Sequence, residues 1–338
     1  LKYMMTNTPF VLGSAVDLTN KAIQKIFKKE AEKLKPQFKK YFNFRTTTDL
    51  YEKDSSLSGL YEAEFTAENA EIMEDAPIQG FDASYTQQSV DILVPYSYMV
   101  WKFGIKKRAL TNISTQILNA LNRKKERLAA ERLTNCFDST WSHTGAGKTT
   151  TIANSGGDSL EPASTAHTRE DGGTSMNNIC YDGTTYSLPF DYAGYKAAIR
   201  TASLFVDPRG NPMPADLDTL VCKKGSSVAF KAKEILGAIK SGKIAESNDN
   251  DGTGVPAFKI IELDYLTSDA HWSMFDSSKA LTDEYGFQHI ESESNNLDPV
   301  NVVVKTREMQ FPGHTIFQQG FNDVARCWIF SAGDSVTT

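Results

Sequence analysis

The feature that most constrains this chain is the run Thr111 to Phe137, TNISTQILNALNRKKERLAAERLTNCF, which contains neither Gly nor Pro. Ile113, Ile117, Leu121, Leu128 and Ala129 recur mostly three, four or seven positions apart. Arg123, Lys124, Lys125, Glu126, Arg127, Glu131 and Arg132 fill the other face. That is the period of an amphipathic helix. At 1.5 Å per residue it would extend roughly 40 Å, longer than the average globular helix. Thr111 or Asn112 is placed to cap its start by accepting a hydrogen bond from a free backbone N–H. The chain before it reads as extended and looping, and the chain beyond the following loop as a mixed α/β domain. A long helix joining a protruding arm to a compact domain is a layout for assembly.

The remaining composition narrows the function classes. With 338 residues, 40% hydrophobic and 23% charged, the chain can bury a sizeable core in one large domain or two ordinary ones. A net charge of −6 argues against an outer surface built to grip nucleic acid through its phosphates. Cys136, Cys180, Cys222 and Cys327 are scattered without a CxxC pair, which predicts reduced, unpaired thiols. No run approaches the ~18 apolar residues of a membrane helix, and the start LKYMMTNTPFVLGSAVDL lacks a signal-peptide core, so a soluble protein of intracellular origin is expected.

Taken in order, residues 1–16 show no period and read as a flexible arm. Asp17 to Lys35 reads as a short amphipathic helix with Leu18, Ala22, Ile26 and Leu34 on one side, Asp17 as its N-cap and Pro36 as its stop. Lys21, Lys25, Lys28, Lys29, Lys33, Lys35, Lys39 and Lys40 form the strongest charge cluster, read either as a solvated face or as a contact for an acidic neighbour or polyanion. From Tyr41 to Tyr98 the pattern alternates. GLYEAEFTAENAEI and DASYTQQSVDILV, joined through MEDAPIQGFD, predict a long hairpin. A two-stranded hairpin is marginal alone, so Tyr61, Phe65, Phe81 and Tyr85 need cover from the same chain or a neighbour. Tyr96 to Ile105 is a buried-strand candidate. Ser142 to Leu188, rich in Gly, Ser and Thr, reads as a surface excursion with room for short strands. Then come a helix (Phe190 to Phe205), the turn Asp207 to Pro212, a strand (Leu217 to Cys222) and a helix (Ser226 to Gly242). A loop (Ser247 to Gly254) and strands at Phe258 to Leu266, His271 to Asp276 and in the two closing segments VNVVVKTREMQF and ARCWIFSAG complete an α+β pattern.

Motifs for catalysis are weak. Gly147-Lys148-Thr149 looks like the tail of a phosphate loop, but the Gly required five positions earlier is Ser142, and a long helix precedes it where a strand belongs. Ser247 to Gly252 is calcium-loop-like until Phe258 falls where a bidentate Glu is needed. His143, His167, His271, His289 and His314 show no HxH or HxxxH spacing, and each is read as a surface or satisfied polar residue. Trp101, Phe103, Trp272, Phe275, Trp328 and Phe330 read as core aromatics. No catalytic, cofactor-binding or metal-binding residue is assigned, and no enzyme is expected.

The order of parts resembles the major capsid proteins of tailed bacteriophages, with the Hong Kong 97-like fold shared by encapsulin shells. VDILVPYSYMVWKFGIKKRALTN (Val90 to Asn112) is similar to the strand returning from the family's extended loop into its spine helix. Lys196 to Leu236 resembles the axial domain: a helix, a D-x-x-G-x-P turn, a short L-V strand and an Ala-rich helix. HWSMFD resembles a family strand beginning W-x-x-F, and Val302 to Phe330 the closing peripheral-domain strands. The resemblance implies an N-terminal arm and short helix (1–45), an extended hairpin loop and return strand (46–100), a spine helix of the peripheral domain (101–140), a surface insertion (141–188) longer than the plainest members need, an axial domain (189–300) and closing peripheral strands (301–338).

It further implies a structural head protein, made in the host cytoplasm and residing in the virion, forming pentamers and hexamers of an icosahedral shell around double-stranded DNA that it does not bind sequence-specifically. Scaffold, portal and decoration proteins are partners the resemblance allows, with no membrane and no cofactor. Some relatives crosslink a loop Lys to a distant Asn. Lys53 is the only Lys in the hairpin region and has no identified mate, so crosslinking is not carried over. Tyr61, Phe65, Phe81 and Tyr85 are the expected inter-subunit contacts, and the basic arm is expected to face scaffold or nucleic acid. An encapsulin-like container is the first alternative. A nucleotide-binding enzyme using Gly147-Lys148-Thr149 is the more distant one.

Overall fold

Alternating and helical periods sort the chain into strands and helices whose pairings define two units. The computed structural model describes residues 12–57, 59–77, 79–97, 107–145, 147–241, 256–303, 305–306, 308–334 and 336–337. Helix α1 (Leu12–Ala31) precedes strands β1 (Asn43–Thr46), β2 (Tyr51–Leu57), β3 (Gln79–Thr86) and β4 (Gln88–Ser97), and helix α2 covers Lys107–Thr134. Strands β5 (Thr140–Gly145), β6 (Lys148–Ala153) and β7 (Thr185–Tyr186) lead to helix α3 (Tyr192–Ala202), strand β8 (Thr219–Lys223) and helix α4 (Ser227–Ser241). Next come β9 (Lys259–Leu263), β10 (Trp272–Phe275), the short helix α5 (Ser277–Ala280), β11 (Phe287–Leu297), β12 (Asn301–Val303), β13 (Glu308–Phe321), β14 (Trp328–Ser331) and β15 (Val336–Thr337). The fold is α+β. One sheet runs β1-β11-β13-β12 with β4 also on β13, and a second runs β14-β10-β8-β9.

The first unit comprises the described residues of Leu1–Pro36, Gln87–Lys125 and Glu291–Phe317. Its core joins Ile23 and Phe27 of α1 to Ile113, Ile117, Leu118 and Leu121 of α2 and to Met309 and Phe311 of β13. Strand β13 alternates half-buried and buried positions without a break, as period two requires when one face is covered. Gly313 lies directly against α2. A Cβ there would lie 2.4 Å from Ile117 Cγ2, so any larger residue would push the helix off the sheet. Along α2 the buried stripe Ile113, Ile117, Leu121 continues to Lys125 four positions on. The ammonium of Lys125 is paired with Glu291, both side chains less than a tenth exposed.

The second unit comprises the described residues of Gln37–Thr86, Glu126–Ile290 and Gln318–Thr338. Strands β8 and β9 are parallel, with α4 between them in sequence, while β10 is antiparallel to both β8 and β14. All four residues of β10 and of β14 are buried, which is why large apolar side chains stand on both faces of each strand. Trp272, Phe275, Trp328 and Phe330 are fully buried in two clusters, with Phe275 and Trp328 stacked at 4.4 Å.

Several expectations need correction. Helix α1 starts by Leu12, so Asp17 lies inside it, and it ends at Ala31. Glu32 to Leu34 form turns before Pro36, whose ring disfavours helical backbone at Lys35. Helix α2 is under way at Lys107, which puts Thr111 and Asn112 inside it, because Lys-Arg-Ala-Leu are all strong helix formers. Its other end is closed by Thr134 Oγ1 donating to Ala130 O (3.0 Å) and Asn135 Nδ2 to Glu131 O (2.7 Å). The predicted strand at 59–72 is not a strand. The hairpin pairs β2 with β3, Tyr51 opposite Thr86 and Lys53 opposite Ser84, and β4 pairs with β13 instead.

The stretch 142–188 is more than a surface excursion. It opens with the β5–β6 hairpin, and Ala163, Met176, Ile179 and Cys180 enter the core. Buried Asn154 ties it to the residues just after α2 by donating to Asn135 O (2.8 Å), and buried Asn178 satisfies the stretch's own backbone, accepting from Ser164 N (2.9 Å) and donating to Pro162 O (2.7 Å). Residues 1–11, most of the Tyr96 to Ile105 candidate strand with Trp101 and Phe103, and the calcium-like Ser247 to Gly252 lie outside the described residues.

Candidate assembly interface

Strands β2 and β3 carry the chain out to residues 59–77. Arg45 anchors the outgoing strand through both oxygens of Asp54 (3.0 Å each) and through Glu52 (2.9 Å), and Lys53 pairs with Asp82 at 2.5 Å. From Gly59 to Pro77 every described residue is exposed, including large apolar side chains: Leu60 at 56%, Ile72 at 75% and Phe65 with its whole surface in solvent. A single soluble chain rarely presents so much contiguous apolar side chain without a use for it.

One side chain holds the base of this tip. The turn Asp207–Asn211 is built by the Asp207 carboxylate, which accepts from Arg209 N (2.9 Å) and Asn211 N (2.8 Å), and by Gly210 at φ +88°. It projects Arg209, which donates to Gly59 O (3.2 Å), to Asp75 Oδ1 (3.2 Å) and to Ala76 O, with Tyr61 beneath its guanidinium at 4.2 Å. Asp75 also accepts from Tyr61 N at 2.7 Å. That backbone hydrogen bond, with Arg209 adding to it, holds the Asp75 carboxyl below the usual carboxylate range. Both ends of the tip are therefore tied at one point, and Glu62 to Glu74 project beyond it.

The four sequence-predicted contact residues divide into two pairs. Tyr61 (47% exposed) and Phe65 belong to the tip. Tyr85 is buried against Ala83 and Ile290 and faces Gly320, where a Cβ would come within 2.5 Å of its ring. Phe81 sits at the hairpin base, its carbonyl accepting from Asn322 Nδ2 at 3.2 Å. Tyr85 thus finds its cover within the chain, whereas Phe65 has none among the described residues.

A second surface was visible as a charge cluster. Lys21, Lys25, Lys28 and Lys29 are exposed on the side of α1 away from Ile23 and Phe27, and Lys33 and Lys35 are exposed in the turn that follows it. Among the described residues, Lys33 alone of these six has a carboxylate partner, Glu30 at 2.6 Å.

The catalytic motifs do not assemble. Gly147 sits at φ +78° in the β5–β6 hairpin turn, and Lys148 and Thr149 open a strand. No helix N-terminus follows, so the backbone donors of a phosphate cradle are missing. His143 pairs with Glu131 (2.5 Å), His167 with Asp158 (2.7 Å), His289 with Gln319 (3.0 Å) and His314 with Glu293 and Asp298 (3.0 Å each). Cys136 Sγ lies 3.8 Å from His271 Nε2. Burial, however, pushes the thiol well up and the imidazole down to about 4. Both groups are held neutral, the reverse of an activated thiolate–imidazolium pair. All four cysteines are free and buried, and among the described residues no group of three or more His, Cys, Asp or Glu is placed to hold a metal. No helix among them is long and apolar enough to cross a membrane.

Solved structures share the fold. The capsid of an empty GTA particle, computed with C5 symmetry, superposes with a TM-score of 0.53 at 10% identity, over 90% of this chain and 91% of that one. The capsid of the native GTA particle, also computed with C5 symmetry, gives 0.50 at 9% identity over 90% and 92%. The fold is capsid-like. No protein-family model matches the sequence, and no curated protein does. At these identities the capsid-like fold is shared while the residues that fill it have almost wholly changed.

Proposed function

We propose that this chain is the major shell subunit of a Hong Kong 97-like capsid, a structural protein that self-associates into pentamers and hexamers of a closed icosahedral shell. The observation that carries the reading is the shared fold across about nine-tenths of both chains in the GTA capsid pair. In this reading α2 is the spine helix of a peripheral domain, residues 189–300 form the axial domain meeting at the capsomer axis, and the β2–β3 hairpin with its tip is the extended loop reaching a neighbour. Tyr61 and Phe65 make the outer part of that contact, while Phe81 and Tyr85 stiffen its base. The exposed apolar tip supports this assignment, since its burial against a second copy, repeated by symmetry, multiplies a modest contact around a closed shell. The enclosed cargo is double-stranded DNA, held without sequence-specific contacts by a chain of net charge −6, and the finished particle is the virion.

Sedimentation and negative-stain electron microscopy of the purified protein test the proposal. Hollow shells, or rings of five and six subunits, are expected. A species that stays at the 37.4 kDa of one chain, even with scaffold and crowding agents, refutes it. Shells that exclude DNA and instead retain a protein cargo would point to the encapsulin-like container.

A further inference from the structure

We propose that the lysine face of α1 is the docking surface for the acidic tip, residues 62–74, of a second copy of this chain. The proposal rests on the shell reading above and names the surface on which the loop lands.

The two surfaces match in charge. Glu62, Glu64, Glu68, Glu71 and Glu74 are exposed within thirteen residues, and the tip contains no Lys, Arg or His. Asp75 is already taken by Arg209, but none of those five glutamates has a cationic partner among the described residues. Between Lys21 and Lys35, on α1 and the turn after it, six exposed lysines stand against Glu30 and Glu32 alone, and Glu30 is engaged by Lys33. Each set is a run of like charge, which is self-repelling until met by the other.

They also match in shape and polarity. The inner face of α1 is committed to the core through Ile23 and Phe27, so the lysine face is the one left outward. Lysine stems form an apolar floor beneath their ammonium groups. Phe65, Ile72 and Met73 are the exposed apolar groups of the tip. An aromatic ring laid among ammonium groups gains a cation–π contact as well as burial. A polyanion such as nucleic acid would satisfy the lysines and leave the tip uncovered. A second copy satisfies both with one contact, and Arg209 holds the tip outward to make it.

The experiment uses the full chain and two charge-reversed variants. One carries Glu62→Lys, Glu64→Lys, Glu68→Lys, Glu71→Lys and Glu74→Lys. The other carries Lys21→Glu, Lys25→Glu, Lys28→Glu, Lys29→Glu and Lys33→Glu. All ten side chains are exposed or project from the surface, and circular dichroism and melting establish that each variant folds. If either does not, glutamine replaces the reversed charges and a tenfold rise in the concentration needed for assembly is the readout. Wild-type assembly is expected to need about tenfold more protein at about 0.5 M salt than at about 0.05 M, because the Debye length shortens severalfold. Each variant alone is expected to stay unassembled, and an equimolar mixture to recover mixed oligomers. That recovery requires the contact to lie between copies. Either variant assembling like wild type, or a mixture that stays unassembled, overturns the docking, as does a helix variant that loses only nucleic-acid retention. A wild-type protein that never assembles overturns the shell reading itself.

Discussion

Replacing Lys125 by Met tests whether a buried charge pair braces helix α2. Lys125 occupies a core position on the stripe of Ile113, Ile117 and Leu121, with its ammonium against Glu291 and 5.4 Å from the Phe317 ring. Met matches the stem in length and apolar character but leaves the Glu291 carboxylate, 7% exposed, without its cation. Breaking a buried pair from one side costs about 3–5 kcal/mol, because the orphaned charge keeps its full desolvation penalty. For a chain of this size, that lowers the melting temperature by about 4–7 °C. Removing both charges, in Lys125→Met with Glu291→Leu, eliminates the orphan and is expected to recover most of the loss. Urea unfolding of the wild type, both single variants and the double variant gives the coupling energy directly. A single variant within about 1 kcal/mol of wild type, or a double variant as unstable as the singles, would refute the assignment of a bracing pair.

Three further outcomes follow from described contacts. Arg209→Ala frees both ends of the tip at once. Hydrogen exchange and limited proteolysis across 59–77 should accelerate sharply while the rest of the protein keeps its protection; unchanged exchange there would mean the clamp is idle. His271 is buried with a pKa lowered to about 4 from an ordinary 6.5, so below pH 6.5 the unfolded chain takes up a proton that the folded chain refuses. Stability should fall between pH 6.5 and 4 by up to about 3 kcal/mol, and urea midpoints of His271→Gln should lose that part of the slope. Gly320→Ala places a methyl 2.5 Å from the Tyr85 ring and is expected to cost about 1–3 kcal/mol, partly recovered by Tyr85→Leu. Equal melting of Gly320→Ala and wild type would sink that packing.

Much of the second half of the chain was legible because its elements are locally self-sufficient. The turn Asp207 to Pro212 carries its own Asp, Gly and Pro. Helix α4 begins beside Ser226, whose hydroxyl accepts from Ala229 N (3.1 Å), and β9 and β10 are short strands rich in Ile and aromatic residues. The misread parts depend on distant partners. YEKDSSL has little apolar content and becomes a strand because Arg45 gathers Glu52 and Asp54 and because β3 supplies the ladder. GLYEAEFTAENAEI alternates, but its Ala, Glu and Asn favour strands poorly, and no strand among the described residues pairs with it.

The stretch 142–188 carries the composition of a loop, yet it is ordered by buried Asn154 and Asn178, which periodicity cannot register. Lys125 and Arg132, both buried on α2, were read as part of its polar face. Lys125 was findable, lying four residues after Leu121 on the apolar stripe. Arg132 was not, since its partners Asn154 Oδ1 (2.7 Å) and Gln319 O (2.8 Å) are remote in sequence. Of the candidate interface, the residues Tyr61 and Phe65 were legible, but the Arg209 that presents them is about 150 positions away.

The tie at Arg209 separates the length of the tip from the stability of what carries it. Gly59, Tyr61, Asp75 and Ala76 are fixed at the base, while Ala67 to Ala70 form only a local turn at the far end, with Asn69 at φ 64°. Closing a longer segment between fixed ends adds only about 0.6 kcal/mol for each doubling of its length. The tip is therefore a site where descendants of this chain can lengthen, shorten or recolour their outermost residues without renegotiating the fold. A foreign peptide spliced between Ala67 and Asn69 would be carried at the same cost.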